Sequence, residues 1–242
     1  MKNPILLLLF FSFGFLSAQN LEGFWKLVQK NGEAVTNREV IKIIQDNYFA
    51  LGSKDLSNNE FLGAAGGEFL LDGESLIEIR DFDTYDAEGI GKELEYNISW
   101  DGEDKMEISD GNTTKIWKRL SEKSDQLTGN WVITGREKND EIDKMTPGDR
   151  RTIKILSGGR FQWIAFNSAT KEFNGSGGGT YNAESGKYSE NIEFFSRDAS
   201  RVGASLDFEY EVKDGKWHHK GKSSKGDPIY EIWSPYAEAY KK

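Results

Sequence analysis

The residues that invite a chemical reading are few. Glu78 and Glu190 are carboxylates flanked at even spacing by large apolar side chains, Phe82 near the first and Tyr188, Ile192 and Phe194 around the second. On a strand, even spacing means a shared face, so each carboxylate is expected to point where its aromatics point. A carboxylate in apolar surroundings must be ion-paired, hydrogen-bonded or protonated. Arg80 shares the parity of Glu78, and Tyr188 that of Glu190. Two readings stand: a polar anchor that orients a ligand, or an internal bond that fixes the fold.

The other candidates have plainer readings. His218 and His219 are the only histidines; as strand neighbours they face opposite ways and do not readily share one metal. One turned inward would suit a haem or a metal, but a solvated pair between Lys216 and Lys220 is the reading adopted. Asp81, Asp83, Asp86 and Glu88 form an acidic run without EF-hand spacing, read as a solvated loop. Gly175-Ser176-Gly177-Gly178-Gly179-Thr180 lacks the lysine and the helix of a phosphate loop, so its glycines mark a bulge or corner in a bent strand. The chain has 0 Cys and no Gly-x-Ser-x-Gly elbow. No catalytic residue, metal or cofactor is assigned.

The elements that must position these residues come from an internal repeat. A constant shift carries residues 38–100 onto 150–212 without a gap. Arg38 meets Arg150, Ile41-Lys42-Ile43 meets Ile153-Lys154-Ile155, and Glu60-Phe61 meets Glu172-Phe173. Gly63, Gly66 and Gly67 meet Gly175, Gly178 and Gly179, and Glu78 meets Glu190. Such self-similarity marks a duplication. It divides the chain into a first copy over 20–120 and a second over 126–236, joined by Ser121–Asp125, a polar linker too short to let them roam. Residues from Ala237 to Lys242 read as a fraying tail.

Strands dominate both copies. Leu94, Tyr96, Ile98 and Trp100 alternate with polar residues, as do Leu206, Phe208, Tyr210 and Val212 in the second copy. Period-two alternation means one face inside and one wet. Asp46-Asn47 and Gly158-Gly159 are hairpin turns between apolar runs. About eight consecutive strands per copy, with little helical periodicity, predict an all-β protein of two tandem antiparallel up-and-down barrels, closure removing exposed edges.

Composition bounds the rest. A formal charge of −9 argues against nucleic acid, which needs a surplus of Lys and Arg. Residues 1–18 read as a cleaved signal peptide: Lys2, the apolar run Pro4 to Leu16, then the small residues Ser17-Ala18. Without cysteine there is no lipoprotein anchor, and no other run is long enough to cross a bilayer. The mature chain is expected to be exported, periplasmic or secreted, with no stable membrane insertion.

Gly23-Phe24-Trp25 and Gly129-Asn130-Trp131 place Gly-x-Trp in the opening strand of each copy. On that motif and the strand count the chain resembles lipocalin-like (calycin) barrels, in particular the lipocalin-like secreted proteins of Bacteroidetes-type bacteria. The resemblance implies that each Trp plugs a closed barrel end and that an Arg near the last strand, here Arg119, packs over it. The second copy has Ser234-Pro235-Tyr236 there and no Arg.

The expected function is non-catalytic binding of a small apolar or amphipathic molecule in a barrel. The expected lining in the second copy is Trp163, Tyr188, Glu190, Phe194, Phe208 and Tyr210. In the first copy it is Leu51, Leu76, Glu78, Phe82, Tyr96 and Ile98. More rings in the second copy point to it as the binding barrel and to the first as the filled scaffold. The alternatives are an interaction module with solid barrels and, more remotely, an enzyme on a calycin scaffold.

Overall fold

The computed structural model describes residues 20–223 and 225–241; the signal-peptide segment lies outside the described residues. In the first copy the strands are β1 (Gly23–Lys30), the short β2 (Glu33–Ala34), β3 (Arg38–Gln45), β4 (Tyr48–Asp55) and β5 (Phe61–Asp72), then β6 (Ser75–Asp83), β7 (Glu93–Trp100), β8 (Lys105–Ser109) and β9 (Thr114–Ser121). The second copy has β10 (Gly129–Lys138), the short β11 (Glu141–Lys144), β12 (Arg150–Ser157), β13 (Arg160–Asn167) and β14 (Glu172–Glu184), then β15 (Lys187–Phe195), β16 (Ser205–Lys213), β17 (Lys216–Lys222) and β18 (Pro228–Pro235). Each set pairs antiparallel in chain order, and β1–β9 and β10–β18 pairings close it. The result is two eight-stranded antiparallel barrels in tandem, each with one short extra strand hairpinned onto its opening strand.

Turn chemistry follows the sequence. Asp46 and Asn47 sit at φ 53° and 56°, and Gly158 and Gly159 at 63° and 76°, the left-handed pair that a two-residue hairpin requires. The Gly-x-Trp strands behave alike in both barrels: Trp25 Nε1 donates to Leu21 O and Trp131 Nε1 to Leu127 O, each at 2.8 Å. Arg119 lies 4.6 Å over the Trp25 ring, while Pro235 stands opposite Trp131.

Paired glycines bend the longest strands. The ladder slips between Gly66 and Gly67, and between Gly178 and Gly179. A side chain at Gly67 would meet Ile79 O at 2.1 Å, and one at Gly179 would meet Asn191 O at 1.9 Å, so only glycine allows the strands to close up here. The bulge adds a residue to the partner strand and reverses its parity. Glu78 and Glu190 stay inside their barrels, whereas Phe82 and Phe194 turn outward.

The outward residues build a third core between the barrels. Phe24, Ile43, Tyr48 and Phe82 of the first pack with Ile153, Ile155 and Phe166 of the second. Contacts exchange by equivalence: β3 lies on its counterpart β12, and β6 meets β13 as β15 meets β4. Repeat equivalents meet each other directly. Phe61 stacks on Phe173 with centroids 5.7 Å apart, and Ser157 Oγ donates to Gln45 Oε1 at 2.8 Å. This is the self-complementary arrangement of a two-fold dimer, here within one chain.

The acidic run is a solvated loop only at Asp86 and Glu88, which are exposed; Asp81 and Asp83 are buried. Asp81 is buried between the barrels, ion-paired to Arg151 at 2.7 Å and accepting from Tyr48 Oη at 3.0 Å. Asp83 is buried against Arg80, and Asp86 caps a short 3-10 turn, Ala87–Gly89. Nor does the C-terminus fray at once. The helix α1 (Tyr236–Ala239) lays Tyr236 and Ala239 on the shared core, and Tyr240 covers the Arg151 guanidinium at 4.0 Å.

Candidate functional site

Each barrel carries an ion pair across its interior. Lys42 and Lys154 are the central residues of Ile-Lys-Ile in β3 and β12. The isoleucines face the inter-barrel core, so alternation turns the lysines inward. Lys42 Nζ donates to Glu78 Oε1 at 2.8 Å, and Lys154 Nζ to Glu190 Oε1 at 2.7 Å. These lysines were not singled out in the sequence. Their signal was there, since a lysine between two isoleucines in a repeated strand must point away from the face the isoleucines share.

The barrels complete the pair differently. In the first, Arg80 Nη2 donates to Glu78 Oε2 at 2.8 Å and to Tyr96 Oη at 2.8 Å, Nε also donates to Glu78 Oε2, and Nη1 binds Asp83. Burial pushes the Glu78 carboxyl up, but Lys42 and Arg80 outweigh burial and hold it below its ordinary range. Burial, then Glu78, raises the Tyr96 phenol to about 12. In the second, Tyr188 Oη donates to Glu190 Oε1 at 2.8 Å, and Ile192 occupies the place of Arg80.

His219 faces the interior of the second barrel, against the solvated reading. Its side chain is buried, with its ring 4.1 Å from Phe208 and 5.2 Å from Trp217. Its Nδ1 lies 3.5 Å from Glu231 Oε2, an electrostatic contact too long for a good hydrogen bond. Burial, then the nearby Lys154, pushes the imidazole pKa below its ordinary value. Glu231 is raised by burial but held to about 2, chiefly by His219, and Arg136 binds it at 2.6 Å. His218 turns the other way and meets Tyr230 Oη at 2.9 Å. Among the described residues no cluster of three metal-ligating side chains forms.

Of the expected lining residues, Tyr188, Glu190, Phe208 and Tyr210 are buried in the second barrel, and the half-buried Trp163 packs against that core. Tyr188 is 0 % exposed and touches the rings of Tyr181, Phe208, Trp217 and His219. Trp163 packs edge-on to Phe195. Phe194 is the exception. The bulge sends it out to stack on Phe61, so it belongs to the inter-barrel core and not to a calyx. Its counterpart Phe82 likewise meets Phe166.

An interior cavity of about 80 Å³ lies in the first barrel. Its lining includes the apolar Phe49, Leu51 and Trp117 and the polar Lys42, Glu78, Arg80, Tyr96 and Lys115. It reaches the surface beside Tyr85, which is 54 % exposed. A surface groove of about 620 Å³ crosses the second barrel over Phe208 and Ile229. Along it Lys187 sits opposite Glu209, and Glu209 opposite Lys220, the alternating charge of a solvated sheet face.

No protein-family model matches the chain, and no curated protein matches it. Fold and site alone define its class: a tandem pair of closed antiparallel β-barrels, compatible with a lipocalin-like binder, each with an ion pair buried across its interior.

Proposed function

We propose that the protein binds a compact amphipathic molecule inside its first barrel and performs no covalent chemistry on it. One observation carries this: a cavity of about 80 Å³ lies beside Leu51 and Ile108, where the second barrel packs Trp163 against its core and buries the His219 ring within it. Large rings at matching positions fill a barrel of this size; smaller side chains leave room. The reading therefore moves the site from the second copy to the first. The volume is about half of the roughly 150 Å³ that admits benzene in an engineered core. A molecule of a few non-hydrogen atoms fits that space, and a fatty acid, retinoid or haem does not. Binding is favoured over catalysis because Glu78, held by two cations below its ordinary range, is a weak proton acceptor. In this reading the protein works after export, which Lys2 and the apolar run from Pro4 to Leu16 support.

The test is a fragment collection, neutral and charged, screened by ligand-observed NMR against the wild type and Leu51→Trp. That substitution puts into the first barrel the ring the second already has. A subset of fragments should bind the wild type and be lost in the variant. If no fragment shows that dependence, the reading fails.

A further inference from the structure

We propose that the first barrel's cavity takes a compact monocarboxylate, with its charged end on Lys115 and Tyr96 and its remainder against Phe49, Leu51 and Trp117. The inference rests on the cavity being the ligand site.

It follows from the charges around that cavity. Lys42, Arg80 and Lys115 supply three cations, and Glu78 lies among them. Glu78 is fully engaged, one oxygen on Lys42 and the other on Arg80. Asp83, the other carboxylate of the network, binds Arg80 and accepts from the backbone N–H of Tyr85 at 2.8 Å and of Asp86 at 3.1 Å. Lys115 makes no ion pair with any described residue, and it is packed beside two like charges. Burial first, and then the charges of Lys42 and Arg80, push its amine pKa down. An anion placed against it removes that repulsion and supplies the missing charge.

Hydrogen-bond capacity points the same way. Tyr96 Oη accepts from Arg80, which leaves its own proton free to donate. Trp117 Nε1 is buried and has no hydrogen-bond partner among the described residues. Donors and apolar side chains thus line the same small cavity, the mixture that holds an amphipathic acid.

The second barrel keeps the lysine–glutamate pair but replaces the other polar groups of this arrangement. Ile192 stands for Arg80 and Phe208 for Tyr96. Glu231 stands for Lys115, since it faces His219 as Lys115 faces Ile108. One barrel keeps a spare cation inside and the other a carboxylate.

Calorimetry on the full chain with matched acid and amide pairs tests the inference: formate and formamide, acetate and acetamide, propionate and propionamide. Each acid that binds should do so at least tenfold more tightly than its amide. Lys115→Gln should weaken acid binding at least tenfold and so narrow the gap between each acid and its amide. Tyr96→Phe, which installs the second barrel's residue, should weaken it severalfold; Lys115→Arg should largely retain it. Amides binding as well as acids, acids failing to bind while neutral fragments bind in a Leu51→Trp-sensitive way, or unchanged acid affinity in Lys115→Gln would overturn the carboxylate and leave the cavity reading intact. No probe of either kind sensitive to Leu51→Trp overturns both.

Discussion

The two barrels share one ion pair, its lysine set over equivalent Phe and Trp rings, and differ in the polar groups that complete it. Lys42–Glu78 and Lys154–Glu190 are the same bond at the same place in the repeat. Around it the first barrel adds Arg80 and Tyr96, while the second adds Tyr188, His219 and Glu231. Ring size differs as well, with Leu51, Leu76 and Ile98 in one against Trp163, Tyr188 and Tyr210 in the other. The shared bond belongs to the scaffold. The differences decide which barrel is filled and which keeps room and an unpaired charge.

Removing the shared lysine breaks the comparison most sharply. Lys154→Met leaves Glu190 buried with Tyr188 as its remaining partner, and stripping one partner from a buried pair typically costs about 3–5 kcal/mol. Lys42→Met leaves Glu78 still paired with Arg80, so its loss should be clearly smaller. Urea denaturation of both variants at neutral pH gives the two values. Equal losses would mean that Arg80 does not compensate and that the barrels are energetically alike.

That asymmetry was only partly legible in the sequence. The repeat, the alternation in 94–100 and 206–212 and the turn dipeptides carried the fold, because each reports a local backbone state. Parity arguments held while the ladder was regular, and so placed Arg80 with Glu78 and Tyr188 with Glu190. They failed across the glycine bulges, where one extra residue reverses the faces and sends Phe82 and Phe194 outward. Asp81 read as solvated because its partner Arg151 comes from the other barrel, and no single strand announces a contact between copies. Counting aromatics located the second interior but not its free volume, since large rings fill a small barrel as readily as they line it.

His219 sharpens the comparison through pH. The first barrel has Ile108 at this position and nothing to titrate. The folded-state pKa of His219 is lowered from the ordinary 6.5. Above that value both folded and unfolded states hold it neutral, and it costs nothing. As pH falls through 6.5 the unfolded chain takes up a proton that the folded chain resists, and stability declines until the folded-state pKa is passed. One such group changes stability by at most about 1.4 kcal/mol per pH unit. His219→Phe keeps a ring beside Phe208 and Trp217 but removes the proton. Between pH 7 and 5 the variant should therefore lose less stability than the wild type in urea. Identical slopes would show that the imidazole is charged as easily inside the barrel as outside.

The smallest contrast lies at the closed ends. Arg119 covers Trp25 at 4.6 Å, also reaches Asn20 O and pairs with the exposed Glu122. Trp131 has Pro235 opposite it and manages without a cation. Its Nε1 bond to Leu127 O, like that of Trp25 to Leu21 O, is 2.8 Å. If the indole bond and burial hold each plug, the arginine adds a cation–π contact, a bond to Asn20 O and a pair with an exposed glutamate, together worth about 2 kcal/mol. Arg119→Gln should lower the unfolding free energy measured in urea by no more than that and leave the Trp25 environment unchanged by fluorescence. A loss of several kcal/mol would instead make the arginine part of the first barrel's closure, and the second barrel would then need a different device at the same place.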